Sequence, residues 1–455
     1  TGAAPREPLP SSTGSPSGAD VVQSLYLEAA SLQRLGEPQV ADRVAREAVV
    51  ELFAAPQAPP LWEPQLRVLQ AAGPSPSPER ELSEAVARFE QVAPEERPTA
   101  LSYLALGQRH LEAGRVDEGL AAYRSGLRLL KARGGSLRLD PLLPYFRALL
   151  GRAESRPAER PAVSAELFEA GQLVRGTRTA HDIALASARL AASQGREGEA
   201  VRALQDAQED RYQLTQEHEA EVASGKDPQR VEALGARLVE LNRRVQDLSL
   251  QVQAAVPGYN QLVDAVVSAD QVTTLLRRNE ALAQVLLGDT ASALFVVRPG
   301  TISVRLLDVT EADAARAVAG LRAGLAPGAD GSIPRFDLEA SHRLYASLLG
   351  PADAEVRGAK HLITVPTGPL LSLPFAVLVA EAPPAGAGYA SVQWLGRRSA
   401  VSLVPSVRSF VDLRSVARAS TAPEPFLGFG DFIPYSPASV ARADVRLSRD
   451  CLAEP

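Results

Sequence analysis

The residue types that form a thiolate–imidazole pair are scarce in this sequence. The chain has one cysteine and five histidines, so a thiolate nucleophile paired with a histidine base has few possible members. The histidines show no H-E-x-x-H or similar ligand spacing, and one cysteine allows neither an intrachain disulfide nor a cysteine-based metal site. We therefore predict no metal site and no cofactor. The six residues are His110, His181, His218, His342, His361 and Cys451.

Composition limits the class of protein. The 455 residues, 45% of them hydrophobic, are enough for roughly two to four domains with their own cores. The net charge of −6 argues against a general polyanion binder, and we predict no nucleic-acid partner. No run approaches the ~18 apolar residues that a membrane span needs, so we predict no membrane-spanning segment.

The beginning of the chain indicates a flexible leader. Residues 1–20 are rich in Pro, Ser and Gly and contain almost nothing apolar to bury. Because the sequence has no methionine, even at position 1, we expect that the native start has been trimmed or is missing. A targeting peptide would be lost with it, so the sequence leaves localisation open between cytoplasm and export.

A pattern of small residues recurs three times in the helical region, centred on Gly36, Gly114 and Gly195. Each copy has small or apolar residues at matching distances from its glycine, as expected where two helices pack closely and a left-handed turn joins them. The pattern resembles that of tetratricopeptide repeats, which we predict over 21–208. The alternative is a generic alanine-rich bundle. A repeat solenoid presents a concave face, so we expect a protein or peptide partner there; the oligomeric state stays open.

A stricter pattern predicts a helical hairpin with coiled-coil packing over 209–257. Seven apolar residues in 231–252 alternate three and four positions apart without a miss. GKDP at 225–228 supplies the turn, and Pro257-Gly258 ends the hairpin. Because about three heptads are short for autonomous pairing, we expect packing within the chain rather than a dimeric coiled coil. The seam residues are Val231, Leu234, Leu238, Leu241, Val245, Leu248 and Val252.

Strand-like segments follow. ALAQVLLG and ALFVVRPGTISVRLLDV predict a strand and a hairpin that turns at Pro299-Gly300. Residues 311–325 and FDLEASHRLYASLLG predict helices, and HLITV (361–365) predicts a strand buried on both faces. RRSAVSLVP predicts a further strand. Strands that alternate with helices are typical of an α/β domain, which we assign to 258–455.

Residues 259–435 resemble the CHAT domain, a caspase-like module that commonly follows tetratricopeptide repeats in bacterial proteins. Four ordered blocks carry the resemblance, and one alone would be weak. They are YNQLVDAV with NEALAQVLLGDTASALFVV, then LYASLLGPADAEVRGAKHLITVPTGPLLSLPFAVL, RRSAVSLVPSVRSFVDL and FLGFGDF. The resemblance implies a multidomain protein: all-α repeats and a coiled-coil hairpin, followed by a partial α/β caspase-like domain.

Family members with an intact site resemble cysteine peptidases of the caspase clan. The resemblance implies a His in an A-T-H-G-like block and a Cys in an S-x-C-like block, both after the blocks matched here. Neither block is present in this sequence. We therefore predict no catalytic residue in this chain, and we expect the His/Cys dyad beyond residue 455.

The remaining candidate residues have simpler interpretations. His361 precedes its strand and so lies at the amino end, whereas the catalytic groups of an open α/β sheet belong at the carboxyl ends of strands. His342 lies in a predicted helix, on a packing or solvent face. Cys451 follows the charged segment VRLSRD, and we expect a surface or partly buried thiol.

The turn in VPTGPLLSLPF has two interpretations. Pro366 ends ladder pairing and Gly368 can adopt a positive φ, so that the following apolar residues pack back onto the sheet. Alternatively, the turn lines a substrate cleft, because it leaves the carboxyl end of a strand. We favour the structural role.

Three functions fit these observations. The first is the regulatory and recognition part of a caspase-like cysteine peptidase. The second is a non-catalytic binding scaffold, in which a degenerate or truncated CHAT fold supports a repeat platform. The third is an autoprocessed protein whose second half exists as a separate piece. Whether the chain is an enzyme is left open by its residues alone.

Overall fold

The computed structural model describes most of the chain as helices and one five-stranded sheet. No helix in the described part is long and apolar enough to cross a membrane. The described residues are 18–54, 60–94, 96–132, 136–174, 196–224, 228–255, 266–325 and 334–416.

The first six helices pack in consecutive pairs. Gly36 lies between α1 and α2 with φ +81°, and Gly114 lies between α5 and α6 with φ +77°, so the left-handed turns predicted at these two glycines are confirmed. The pair α3–α4 occupies the space between them, while Gly195 lies outside the described residues. The helices are α1 (Gly18–Arg34), α2 (Pro38–Ala54), α3 (Trp62–Ala71), α4 (Pro78–Val92), α5 (Arg97–Glu112) and α6 (Val116–Ala132).

Small residues bring α5 and α6 close together. A β-carbon on Gly126 would lie 2.6 Å from the backbone oxygen of Ala100, and one on Gly107 would lie 2.7 Å from the Tyr123 ring. Tyr123 fills the space between the helices and is completely buried. The small-residue pattern of the sequence therefore reports real backbone proximity in this pair.

The predicted hairpin consists of two long helices, α9 (Arg196–Ser224) and α10 (Pro228–Ala255). The seam residues Val245 and Val252 pack against Val201 and Leu204 in a core of their own. Helix α9 thus begins well before residue 209, and the boundary predicted between 208 and 209 falls inside it. Leu204 and Ala207, which follow the third glycine of the repeat pattern, belong to this core.

The sheet has strand order β3-β2-β1-β4-β5 within the described residues. Strands β1, β2 and β3 form an antiparallel meander, while β4 runs parallel to both β1 and β5. Gly300, with φ +76°, makes the predicted turn between β2 and β3. The strands are β1 (Glu280–Leu286), β2 (Ser292–Arg298), β3 (Thr301–Leu307), β4 (His361–Val365) and β5 (Ala400–Leu403).

Helices cover both faces of the sheet, and alternate strand residues face each layer. Leu282 and Phe295 face a core shared with α5, α6, α7 (Leu143–Ser155) and α8 (Arg160–Gly171). Ala283 and Val296 face the opposite core. The remaining helices are α11 (Ala269–Leu275), α12 (Glu311–Ala323), α13 (Leu338–Leu348), α14 (Asp353–Arg357), α15 (Leu395–Arg398) and α16 (Val407–Val416).

Local capping fixes where the helices on the sheet begin. The Thr310 hydroxyl accepts the Asp313 N–H and the Asp313 carboxylate accepts the Thr310 N–H, which makes a capping box at α12. The Asp337 side chain accepts the Ala340 N–H at 2.8 Å and starts α13. The block FLGFGDF and most of the block YNQLVDAV lie outside the described residues.

The second half of the helical region and the sheet share one core. The ring centroid of Phe295 in β2 lies 6.0 Å from that of Phe146 and 5.8 Å from that of Phe168. The Asp140 carboxylate, placed between α6 and α7, accepts the backbone N–H groups of Asp289 and Thr290, both at 2.9 Å. These contacts fasten the helices to the β1–β2 turn as well as to the sheet face.

Candidate functional site

The carboxyl ends of the parallel strands meet at one edge of the sheet. Since β1, β4 and β5 run in the same direction, the segments after Leu286, Val365 and Leu403 lie side by side there. An open α/β sheet places its reactive groups at this edge. A catalytic side chain contributed by these strands would therefore lie at this edge.

The turn after β4 uses its polar groups to hold the edge together. The Thr367 hydroxyl donates to the Val285 carbonyl and accepts the Leu287 N–H, both at 3.0 Å. Gly368 has φ +55°, and a β-carbon on it would lie 2.9 Å from a carboxylate oxygen of Glu311. These contacts tie the turn to β1 and α12, which favours the structural interpretation of VPTG.

No described histidine or cysteine lies at this edge. Cys451 and His181 fall outside the described residues, and the side chain of His218 is not described. His342 lies in α13, half-buried, with Nδ1 at 3.1 Å from the Val379 carbonyl. Of the two faces predicted for it, packing or solvent, it lies on the packing face. His110 lies in α5. The described carboxyl edge thus supplies neither a thiolate nor an imidazole base.

His361 lies at the amino end of the sheet, as predicted, but it is part of a polar cluster that the sequence pattern did not predict. Its Nε2 is 2.8 Å from the Ser402 hydroxyl, and its Nδ1 is 3.4 Å from a carboxylate oxygen of Glu280. The same oxygen accepts a 2.7 Å hydrogen bond from the Arg414 guanidinium of α16. The Arg277 N–H donates to the other oxygen at 2.9 Å.

This cluster has the residue types of an acyl-transfer triad but a different function in the fold. A triad needs a carboxylate devoted to its histidine and backbone amides that stabilise an oxyanion. Here the Glu280 carboxylate is only 5% exposed and is already neutralised by Arg414, while Ser402 lies within β5. The arrangement is an ionic tie that fastens α16 to the amino ends of β1 and β4.

The signal for this cluster was present in the sequence. Glu280 and His361 each lead an apolar strand, and in a parallel pair such leading residues come to lie opposite each other. Arg414 carried no such signal, because its approach depends on how α16 packs. No group of three or more His, Cys, Asp or Glu side chains in the described ranges is placed to hold a metal ion.

The tie keeps Glu280 ionised. Burial alone would raise the pKa of this carboxyl, but the Arg277 N–H and the Arg414 guanidinium outweigh burial and hold the pKa below its ordinary value of 4.5. A carboxyl whose pKa is lower in the folded state stabilises the fold above its unfolded pKa. That contribution is lost as the pH falls through the folded pKa.

Glu280→Gln is therefore expected to lower the free energy of unfolding by about 1–3 kcal/mol at pH 7, because a charged hydrogen bond is removed. The difference from wild type should shrink as the pH falls from 5 to 3. Urea unfolding at several pH values measures it. The control is Glu339→Gln, at a glutamate 77% exposed on α13, which should change little. If Glu280→Gln lowered the free energy of unfolding by the same amount down to pH 3, the stabilising role assigned to the ionised Glu280 would be wrong.

The fold is a small mixed sheet between two helical layers, of the α/β class that the sequence predicted. Residues 338–440 match the family model of the CHAT domain. The match supports a CHAT domain in this part of the chain. A search of curated proteins finds no match.

The family match covers only part of the sheet. It begins at Leu338 and includes β4 and β5, but β1, β2 and β3 come before it. Strand β1 pairs with β4 along its length, from Glu280 opposite His361 to Gln284 opposite Val365. The matched segment therefore shares its sheet with residues from 280 onward.

Proposed function

We propose that this chain is the repeat-bearing recognition and regulatory part of a CHAT-family, caspase-like cysteine peptidase. Its catalytic His and Cys are supplied by sequence beyond residue 455. Its helical pairs act as a tetratricopeptide-type platform that holds a protein or peptide partner. The CHAT match and the described carboxyl edge, which has a strand–turn framework without a His or Cys, support this assignment.

The observation that carries the proposal is the common core of helices and sheet. Phe146 and Phe168, on α7 and α8, pack on Phe295 of β2, next to the central strand of the sheet. Close-packed protein interiors transmit strain. A partner that shifts the helical pairs would therefore act on the sheet that positions the catalytic segments.

The non-catalytic scaffold is the second candidate. The observation that favours it is the carboxyl edge, where Thr367 and Gly368 are occupied by contacts within the fold. In this case the sheet only supports the helical platform. The two candidates differ in a single property, thiol-dependent cleavage of peptide bonds.

The test is turnover of a fluorogenic peptide library by the complete natural protein. The proposal predicts cleavage that iodoacetamide abolishes, that dithiothreitol preserves and that a metal chelator leaves unchanged. Because a recognition platform implies regulation, the assay is run with and without a cell extract of the source organism. Absence of thiol-dependent cleavage under both conditions would contradict the peptidase assignment and favour the non-catalytic scaffold.

A further inference from the structure

A groove of ≈ 710 Å³ runs along the open edge of β3, beside α7 and α8. Within the described ranges, β3 pairs only with β2, so the backbone groups on its other side have no strand partner. Helix α8 packs against β3 and forms one wall. Its lining includes Arg147, Glu154 and Arg160 from the helices and residues 302–306 from the strand.

The shape of the groove suits an extended chain. Strand β3 has seven residues, which at ~3.3 Å per residue corresponds to an open edge of about 23 Å. A peptide that adds to such an edge gains main-chain hydrogen bonds, and alternate side chains face the neighbouring helices. The surface of the groove that faces these helices is apolar, because Ile302 and Leu306 are half-buried there against the core.

The charge of the groove indicates the chemistry of the peptide. Three arginines and one glutamate line it. Arg147 and Arg160 are exposed, and among the described residues neither guanidinium has a hydrogen-bond or ion-pair partner. Arg305 pairs with Glu355 at 3.2 Å but keeps 43% of its side chain exposed. The surplus of positive charge matches carboxylates and disfavours a second copy, whose own arginines would approach the same edge.

We propose that the β3 edge is a docking site for an acidic peptide segment of a partner protein, which binds as a sixth strand. Its backbone pairs with Thr301–Leu307, and its Asp or Glu side chains meet Arg147 and Arg160. This site lies where α7 and α8 of the helical region meet the edge of the sheet, and it does not depend on peptidase chemistry. An exposed edge of this length otherwise invites non-specific pairing, so a specific occupant also protects the fold.

Fluorescence anisotropy with a labelled seven-residue peptide of alternating Glu and Val tests the proposal. Wild-type protein is expected to bind it, and the double variant Arg147→Glu/Arg160→Glu to bind at least tenfold more weakly. Arg43→Glu is the matched control, because Arg43 is also exposed on a helix, away from the groove, and should change binding less than twofold. Thermal unfolding of each variant checks that the fold is retained.

Two further probes separate the alternatives. The same peptide with N-methylated backbone amides, and its Lys–Val counterpart, should each lose binding at least tenfold, because the first cannot pair and the second repels the arginines. The proposal is overturned if the acidic peptide does not bind or binds equally well when N-methylated. It is equally overturned if a single-stranded RNA oligonucleotide binds more tightly at the same arginines, or if light scattering shows a dimer that the double variant dissociates.

Discussion

Phe295→Ala is expected to lower the free energy of unfolding by about 3–5 kcal/mol, the largest effect we predict for a single substitution. Phe295 is completely buried and contacts the rings of Phe146 and Phe168. A β-carbon on Gly171, at the end of α8, would lie 2.9 Å from the same ring, so the α8 backbone packs directly against Phe295. Equilibrium urea unfolding, followed by circular dichroism, measures the loss.

The shape of the transition tests the shared core. Because Trp62 on α3 also fluoresces, the comparison is made in a Trp62→Phe background. If α5–α8 and the sheet unfold together, the helical signal and the fluorescence of Trp394, which lies on the sheet side, should shift to the same lower urea concentration. The control is Phe53→Ala, at a phenylalanine 80% exposed on α2, with an expected change below about 0.5 kcal/mol. A sheet that loses stability while the helical signal keeps its midpoint would contradict a common core.

Gly126→Ala is expected to destabilise the protein by about 1–3 kcal/mol, although alanine favours helices more than glycine does. Its β-carbon would meet the Ala100 carbonyl at 2.6 Å, and that oxygen belongs to helix backbone and cannot rotate away. The α5–α6 pair would have to separate. Thermal and urea unfolding measure the effect.

Gly320→Ala provides the matched control, because Gly320 is also inside a helix but a β-carbon on it would have no other group within 4 Å. It should stabilise the protein by about 0.5–1 kcal/mol. Stability changes of opposite sign at the two glycines would confirm that the close approach of the α5 and α6 backbones requires glycine at position 126. A Gly126→Ala variant as stable as Gly320→Ala would contradict the close packing of α5 and α6.

Much of the fold follows from local sequence signals. The apolar runs that become β1, β2 and β4 are buried, and Gly36, Gly114 and Gly300 adopt the positive φ that their turns require. These features depend on neighbouring residues, so periodicity and turn chemistry report them. The α/β class of the second half was predictable for the same reason.

The contacts that join distant segments were not predictable. Asp140 accepts backbone hydrogens from the β1–β2 turn, roughly 150 residues away along the chain. Arg414 reaches Glu280 across the amino edge of the sheet. Nothing in the local sequence around either residue distinguishes it from an ordinary surface charge, because its role depends on tertiary packing.

The candidate site likewise combines features that local sequence predicts with contacts that depend on tertiary packing. The amino-end position of His361 followed from its place before HLITV, and the structural role of the VPTG turn followed from Pro366 and Gly368. Prediction of the partners of His361, which are Ser402 and Glu280, would have required the register of β4 between β1 and β5. The groove at β3 required the strand order, which periodicity does not contain.

Labelling of the complete natural protein with a cysteine-directed covalent peptide probe, followed by peptide mapping, tests the central claim most directly. We expect one labelled cysteine, located beyond residue 455, and loss of labelling when that cysteine is replaced by serine. Absence of specific labelling, or labelling confined to Cys451, would contradict the assignment of this chain to a cysteine peptidase with its dyad in later sequence.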